Sequence, residues 1–452
     1  MRRLFIAGFA ITSLVIAIVI AVPWKRALEQ QLISALEKHG FSEVSLQVAG
    51  VGLHSIVLED IVFGGENAVR LKNVKIDYSA AGLRARRLES VTILAPTFVV
   101  RQQGARWIVQ GLESLQASPP SVPLNVASLN KIINQIPVDR VIVENGEMNI
   151  QADLWSLSLP LNMTIDKSPD KISYKSNGAH FRKGDIEAES GDMIVDLHFE
   201  KDSQTWRGNW QIDKVRVDGV STPIPLLSGD GTLSAKEDAI NIYGSLKSKD
   251  EPYKMEFGYD HSFDKTSASL LTLASAEMPW KEGHLKVKDV KIPLGETRAL
   301  NLNIQVDRVS VDELLGAMTG QRVTATGYVS GTIPVTVTKK GDLIFGAGQL
   351  KATGPGMINM PPDAIPGDNK QVALARSILA DLNYEALSIS LNNDNQGDLG
   401  VLMNVEGSNP AVYEGRAVKL NVNLTGDVLD FIQQNVILFT KPQNLWEHNE
   451  DK

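Results

Sequence analysis

The chain has 452 residues, with 45 lysines and arginines against 53 acidic residues for a net charge of −8, and no cysteine. The charges are spread without long blocks, which excludes the concentrated basic face that nucleic acid requires. The absence of cysteine excludes thiolate metal sites and cysteine catalysis, and leaves an exported chain to hold its fold by strand pairing and apolar burial alone.

Residues 1–24 read as a transmembrane anchor. Arg2 and Arg3 precede Leu4–Val22, 19 residues without a charge, and Trp24 follows where an interfacial ring is favoured. Leu4, Phe5, Ile16 and Val22 mark the apolar run and Trp24 its edge. A cleaved signal peptide is the competing reading; the run is long for one and Ala21-Val22-Pro23 is a poor cleavage context. Residues 25–40 hold an amphipathic helix with Leu28, Leu32, Ile33 and Leu36 on one face, stopped by Gly40.

From Phe41 the apolar period changes from 3.6 to 2. Val44, Leu46, Val48 open the pattern; Leu157 to Ile165, Met193 to Phe199, Leu300 to Val306 and Val418 to Leu424 continue it at every second position. Turn-forming clusters at 64–67, 144–146, 228–231, 340–342 and 395–398 separate the runs and predict antiparallel hairpins. Short helices are predicted around 124–135, 311–318, 371–382 and 428–439. About 25 to 30 strands with so few helices leave little to cover an open sheet. The fold class is therefore mostly β: an elongated, twisted antiparallel sheet curled into an open hydrophobic groove of roughly 120 to 145 Å at ~4.8 Å per strand. Two packed sheets forming ordinary sandwich domains are the alternative.

Several stretches resemble a known family. Val69-Arg-Leu-Lys-Asn-Val-Lys-Ile-Asp-Tyr78 and Val91-Thr-Ile-Leu94 look like the N-terminal repeat of AsmA-like proteins, and Pro137 to Ile150 resembles a hairpin that recurs in them. Gly327 to Val335, Gly354-Pro-Gly356, Leu382-Asn-Tyr384, Gly407-Ser-Asn-Pro-Ala-Val-Tyr413 and Leu420 to Gly426 are similar to the terminal domain of YdbH-type members. The resemblance divides the body into an AsmA-like segment at 41–150, a middle segment at 151–299, a YdbH-like domain at 300–426 and a helical tail at 427–452. It implies bridge-like intermembrane lipid transport: a single-pass inner-membrane protein, its bulk in the periplasm, carrying glycerophospholipids to or from the outer membrane through a β-groove and so supporting outer-membrane lipid homeostasis. The implied partners are phospholipid acyl chains, the inner membrane and a small YnbE-like outer-membrane lipoprotein at the C-terminal sheet edge. A periplasmic scaffold or assembly factor for outer-membrane proteins, using the same edges without moving lipid, is the competing function.

The residues themselves give no enzyme signature. The seven histidines have no H-x-x-x-H pair, no lysine-bearing helix follows Gly229-Asp-Gly231 or Gly346-Ala-Gly348, and no G-x-S-x-G elbow occurs. No cofactor or metal is expected. His198 alternates with Leu197 and Phe199 and belongs on the wet face. Alternation selects Leu46, Val48, Val69, Leu71, Leu159, Leu161, Val195, Leu197, Leu302, Ile304, Leu420 and Val422 as candidate groove lining, each of which would otherwise pack in a closed core.

Overall fold

A computed structural model describes residues 25–65, 69–103, 106–113, 137–153, 155–219, 224–236, 238–262, 269–294, 299–319, 323–338, 343–361, 370–393 and 399–424. The expected anchor with Leu4, Phe5, Ile16, Val22 and Trp24, the helix at 124–135 and the tail helix at 428–439 lie outside the described residues. No described helix is long and apolar enough to cross a membrane. The described chain forms two compact units: residues up to Gly219 with Leu226–Gly244 and Tyr259–Ser267, and Val220–Pro225 with Ser245–Gly258 and residues from Ala268 onward.

The first unit opens with helix α1 (Lys25–Lys38), which buries Leu28, Leu32 and Leu36 at a spacing of four. Strands β1 (Ser45–Val51), β2 (Ser55–Phe63) and β3 (Val69–Asp77) follow, then the one-turn helix α2 (Ala80–Arg84), β4 (Leu88–Gln103) and β5 (Arg106–Val109). Leu28, Leu32 and Leu36 lie in one closed core with Leu46, Val48, Ile56, Val69 and Ile76. Helix α1 also finishes the outer edge of β1. Glu29 Oε1 accepts the Val48 N–H at 2.9 Å and Lys25 Nζ donates to the Ala49 carbonyl at 2.7 Å.

Beyond lie β6 (Val138–Gln151), β7 (Ser156–Lys167), β8 (Asp170–Asn177), β9 (His180–Lys183), β10 (Ile186–Glu189), β11 (Asp192–Glu200), β12 (Thr205–Asp218) and β13 (Leu227–Ala235). The expectation of a wholly antiparallel sheet needs correction. Strand β6 pairs parallel to β4 from Leu88↔Val138 to Arg101↔Gln151. A parallel pair needs a crossover longer than a hairpin, and residues 104–137 supply it. Two predicted turns are also strand interior: Asn145-Gly146 lies within β6, and Ser228 to Gly231 within β13.

A line of backbone irregularities crosses this unit. Asp60 (φ 49°), Ala95 (φ 48°), Asn145 (φ 52°) and Lys214 (φ 50°) are left-handed residues inside β2, β4, β6 and β12. Register places Asp60 and Ala95 both opposite Lys72, and Ala95 beside Asn145. The same line runs on through the break at Gly178 between β8 and β9 and the break at Ser190-Gly191 between β10 and β11. There Gly178 N–H donates to Gly191 O at 3.3 Å and Gly191 N–H to Asp213 O at 2.8 Å. A bulge bends its strand and raises the local twist, so bulges in register fold the sheet along a crease. Each also shifts the side-chain parity by one: Val91 and Ile93 before Ala95, and Phe98 and Val100 after it, stay on one face.

The second unit is built from the end of β14 (Ala239–Ser248) and the beginning of β15 (Lys254–Ser262), then β16 (Ser269–Trp280), β17 (Gly283–Leu294), β18 (Leu300–Ser310), helix α3 (Val311–Thr319), β19 (Thr324–Ala325), β20 (Tyr328–Val337), β21 (Leu343–Phe345), β22 (Gly348–Ala352), β23 (Gly356–Asn359), helix α4 (Lys370–Leu379), β24 (Leu382–Asn393), β25 (Leu399–Ser408) and β26 (Val418–Leu424). Its ladders are antiparallel. Val306, Gly331, Leu350, Ile389, Met403 and Val422 stand in one row across five strand pairs. Helices α3 and α4 add Leu314, Leu315, Ile378 and Leu379 to one large buried cluster with Leu302, Ile304 and Val335. Predicted helix 371–382 is shorter than expected: Leu382 already begins β24, pairing with Ile358.

Candidate functional site

From β6 to β13 one face of the sheet in the first unit carries rows of apolar side chains that are mostly half-buried. Directly paired residues share a face. One row reads Val91, Val141, Ile165, Ile172, Leu197, Gly208, Leu233; the next reads Ile93, Val143, Met163, Tyr174, Val195, Trp210, Gly231. Across the crease runs a third row: Val100, Ile150, Leu157, Phe181, Ala188, Val217. From β6 onward the apolar side chains of these rows are half-buried, apart from the buried Val143 and Ile172. The rows on both sides of the line of irregularities are made of aliphatic and aromatic groups.

The outer face is its chemical opposite. Asp196 accepts hydrogen bonds from Ser173 Oγ at 2.6 Å and pairs with Lys171 at 3.1 Å; Arg216 pairs with Glu189 at 2.7 Å and Arg207 with Glu200 at 3.1 Å. The Ser173 hydroxyl, then Lys171, holds the Asp196 carboxyl below the usual carboxylate range. His198 is on this wet face, as its alternation predicts, with a largely exposed side chain beside Glu200.

The bulges are held by side chains. Asn145 N–H, displaced from the ladder, donates to Asn162 Oδ1 at 2.8 Å; Lys214 N–H donates to Asp213 Oδ1 at 2.9 Å, and Ser228 Oγ donates to the same carboxylate at 2.6 Å. Rings shape the floor. Tyr174 lies along its strand and donates to the Pro160 carbonyl at 3.0 Å. The Trp210 indole lies over Gly231 and Gly244, where a Cβ would come within 2.7 Å and 2.2 Å of it. Those glycines exist to seat the ring, an aromatic covering backbone that would otherwise be bare. Trp206 is fully buried against Phe199, with ring centroids 5.3 Å apart.

The twelve residues selected from the sequence fall in three settings. Leu159, Leu161, Val195 and Leu197 stand on this half-buried apolar face. Leu46, Val48 and Val69 are buried in the core under α1, with Leu71 packed against it, and Leu302 and Ile304 are buried in the second unit. Leu420 and Val422 are half-buried at the margin of that second core. The sequence selection missed Phe98, Met148, Ile150, Phe181 and Val217. Each lies past a bulge or in a strand too short to display alternation; the signal that could have found the first three is a period-2 run that resumes out of phase after an Asn-Gly or Ala-Pro step.

The residues behind the resemblance in the second unit are architectural. Tyr384 Oη donates to Thr326 O at 2.7 Å beneath Gly327 and Gly356, whose missing side chains make room for the ring. Buried Asn409 donates from Nδ2 to Ser377 O and Ile378 O, both at 3.0 Å, closing the last turn of α4. No curated protein and no solved structure gives a significant match to the chain. A family does: residues 250–445, the stretch that holds Gly327, Tyr384 and Asn409, are similar to the YdbH-like family, described as "Intermembrane phospholipid transport protein YdbH".

Proposed function

We propose that the chain moves glycerophospholipids between the inner and outer membranes without chemistry, by holding their acyl chains along the apolar face of the first unit while head groups stay in water. The observation that carries this is the row of half-buried apolar side chains from β6 to β13, backed by a charged outer face. An acyl chain in water costs ~0.8 kcal/mol per methylene, and a lining of Val, Ile, Leu, Met and aromatic groups replaces that water. The likeness to intermembrane phospholipid transport proteins, found independently in residues 250–445, supports the same substrate class. In this reading residues 1–24 anchor the chain in the inner membrane, the bulk lies in the periplasm, and a small outer-membrane lipoprotein meets the C-terminal sheet edge. The closed cores holding Leu46, Val48, Val69, Leu302 and Ile304 are supporting structure.

A photo-crosslinker at Val195 or Leu161 captures phospholipid in cell envelopes, and one at Ile194, on the opposite face, does not. Equal labelling of both faces, or of neither, defeats the proposal. Loss of outer-membrane protein insertion ahead of any change in lipid distribution favours an assembly factor instead.

A further inference from the structure

Three segments of the first unit meet at one end of its sheet. The first is the start of α1, where Lys25 Nζ donates to the Ala49 carbonyl at 2.7 Å beside the end of β1. From there α1 runs back along β1; past its C-terminus Ser42 O accepts the Gly64 N–H at 2.9 Å, beyond the other end of β2. Residues 1–24 therefore join the body at the β1–β2 turn. The second segment is that turn itself, and the third is the connection from β3 through α2 to β4. Tyr78, fully buried, ties them together: its Oη donates to Gly52 O at 2.6 Å and its N–H to His54 O at 2.9 Å. The α2 connection is closed just as tightly. Ser79 Oγ accepts the Gly82 N–H at 3.1 Å, the Arg87 N–H returns to Gly82 O at 2.8 Å, and Arg86 between them is left-handed at φ 56°.

These well-fastened segments expose apolar and cationic groups together. Leu53, at the tip of the β1–β2 turn, is 89% exposed, and Val51 is 48% exposed. Lys25, Arg26, Arg84 and Arg86 are exposed at the same end. Residues 25–28, 49–54 and 78–87 contain no acidic residue at all. Arg87 pairs with Asp139, whereas Arg84 and Arg86 have no acidic partner among the described residues. A single exposed leucine is ordinary on any surface. Here it is held out on a fastened turn, among unpaired cations, where the uncharged run Leu4–Val22 enters the body. Aliphatic groups that enter the boundary between head groups and acyl chains, with cations drawn to anionic head groups, are what a peripheral bilayer contact requires.

We infer that this end of the first unit docks on a bilayer surface carrying anionic phospholipid, with Leu53 and Val51 entering the head-group boundary and Arg84 and Arg86 meeting lipid phosphates. The inference rests on residues 1–24 spanning that same bilayer. It adds a second contact, which sets the turns of β1–β4 against the membrane and fixes how the body stands on it. The occupant is a lipid surface because the cations match anionic head groups and the apolar run enters at the same place.

The absence of cysteine makes a site-specific label straightforward. Full-length protein carrying a single Leu53→Cys or Asp185→Cys change, labelled with an environment-sensitive fluorophore, is reconstituted in phosphatidylethanolamine–phosphatidylglycerol vesicles containing head-group spin-labelled lipid. Asp185 is the control: it is exposed in the turn after β9, next to the start of β7 and so at the opposite end of the sheet. The expected result is quenching at Leu53 and background signal at Asp185. Arg84→Gln with Arg86→Gln lowers the docked-to-undocked ratio read at Leu53 by about 30-fold. Vesicles of phosphatidylcholine alone lower it at least as far. Flotation with the vesicles but no quenching at Leu53, or equal quenching at Leu53 and Asp185, overturns the inference and spares the anchor; failure to float overturns both. Quenching at Leu53 that ignores both arginines and the anionic lipid also overturns it. So does a spectral shift that follows protein concentration instead of lipid, since it makes the occupant a second copy of the chain.

Discussion

The proposed function assigns lipid binding to one face, so a charge on that face and the same charge on its reverse should behave differently. Val195 pairs with Tyr174 and Trp210 at the centre of the apolar face, whereas adjacent Ile194 pairs with Lys175 and Gln211 on the wet face. Both are half-buried, so a lysine at either position leaves the ladder intact. A cation set against hydrocarbon costs about 2–4 kcal/mol at full depth. Because Val195 is only half-buried and a lysine there can reach water, the lower end applies, about 2 kcal/mol. At about 1.4 kcal/mol per decade this is roughly a 30-fold loss of lipid occupancy for Val195→Lys and none for Ile194→Lys. Fluorescent phospholipid titrated into the purified protein reads it directly, with a thermal melt to show both variants folded. Equal affinities for the two variants would refute the assignment of the face.

Leu302 sits at 3% exposure in the closed core of the second unit, so Leu302→Ala costs about 2–5 kcal/mol of stability in denaturant unfolding and leaves lipid binding at Val195 unchanged. Asn162→Ala removes the acceptor of the Asn145 N–H and costs about 1–3 kcal/mol by the same assay, whereas Ser158→Ala on the same strand does not. Trp206→Ala costs about 3–5 kcal/mol; Trp206→Phe costs clearly less, because the buried indole N–H has no hydrogen-bond partner to lose. The depressed Asp196 carboxyl contributes stability above the ordinary aspartate value of ~3.9 and loses it as the pH falls through the lower folded-state value. Melting curves of the wild type and Asp196→Asn should therefore differ at neutral pH and converge in acid.

Element type was readable wherever a strand keeps phase. Leu157 to Ile165 and Leu300 to Val306 alternate without interruption, and both are strands over those residues. The stripe of Leu28, Leu32 and Leu36 likewise announces α1. Readability fails where a left-handed residue shifts the phase: Asn145-Gly146 has the composition of a hairpin turn but serves as a bulge, since both uses need a residue that tolerates positive φ. Ser228 to Gly231 reads as a turn for a related reason, Gly231 being part of the bed under Trp210. The parallel β4–β6 pair has no local signature at all. Alternation also cannot tell a half-buried face from a sealed one. Leu302 and Val195 obey the same period, and only the packing of helices α3 and α4 in the second unit separates a sealed residue from a half-buried one.

The hydrogen bonds that Lys25 donates to β1 and Glu29 accepts from it have a bearing on assembly. A bare outermost strand is a template for another chain, and the commonest safeguard is to occupy its donors and acceptors. Here two side chains of α1 engage the Val48 amide and the Ala49 carbonyl, so head-to-head joining of two molecules through β1 would first have to peel that helix away together with its three buried leucines. Lengthening of the sheet by a neighbour is thereby disfavoured at the margin that α1 covers.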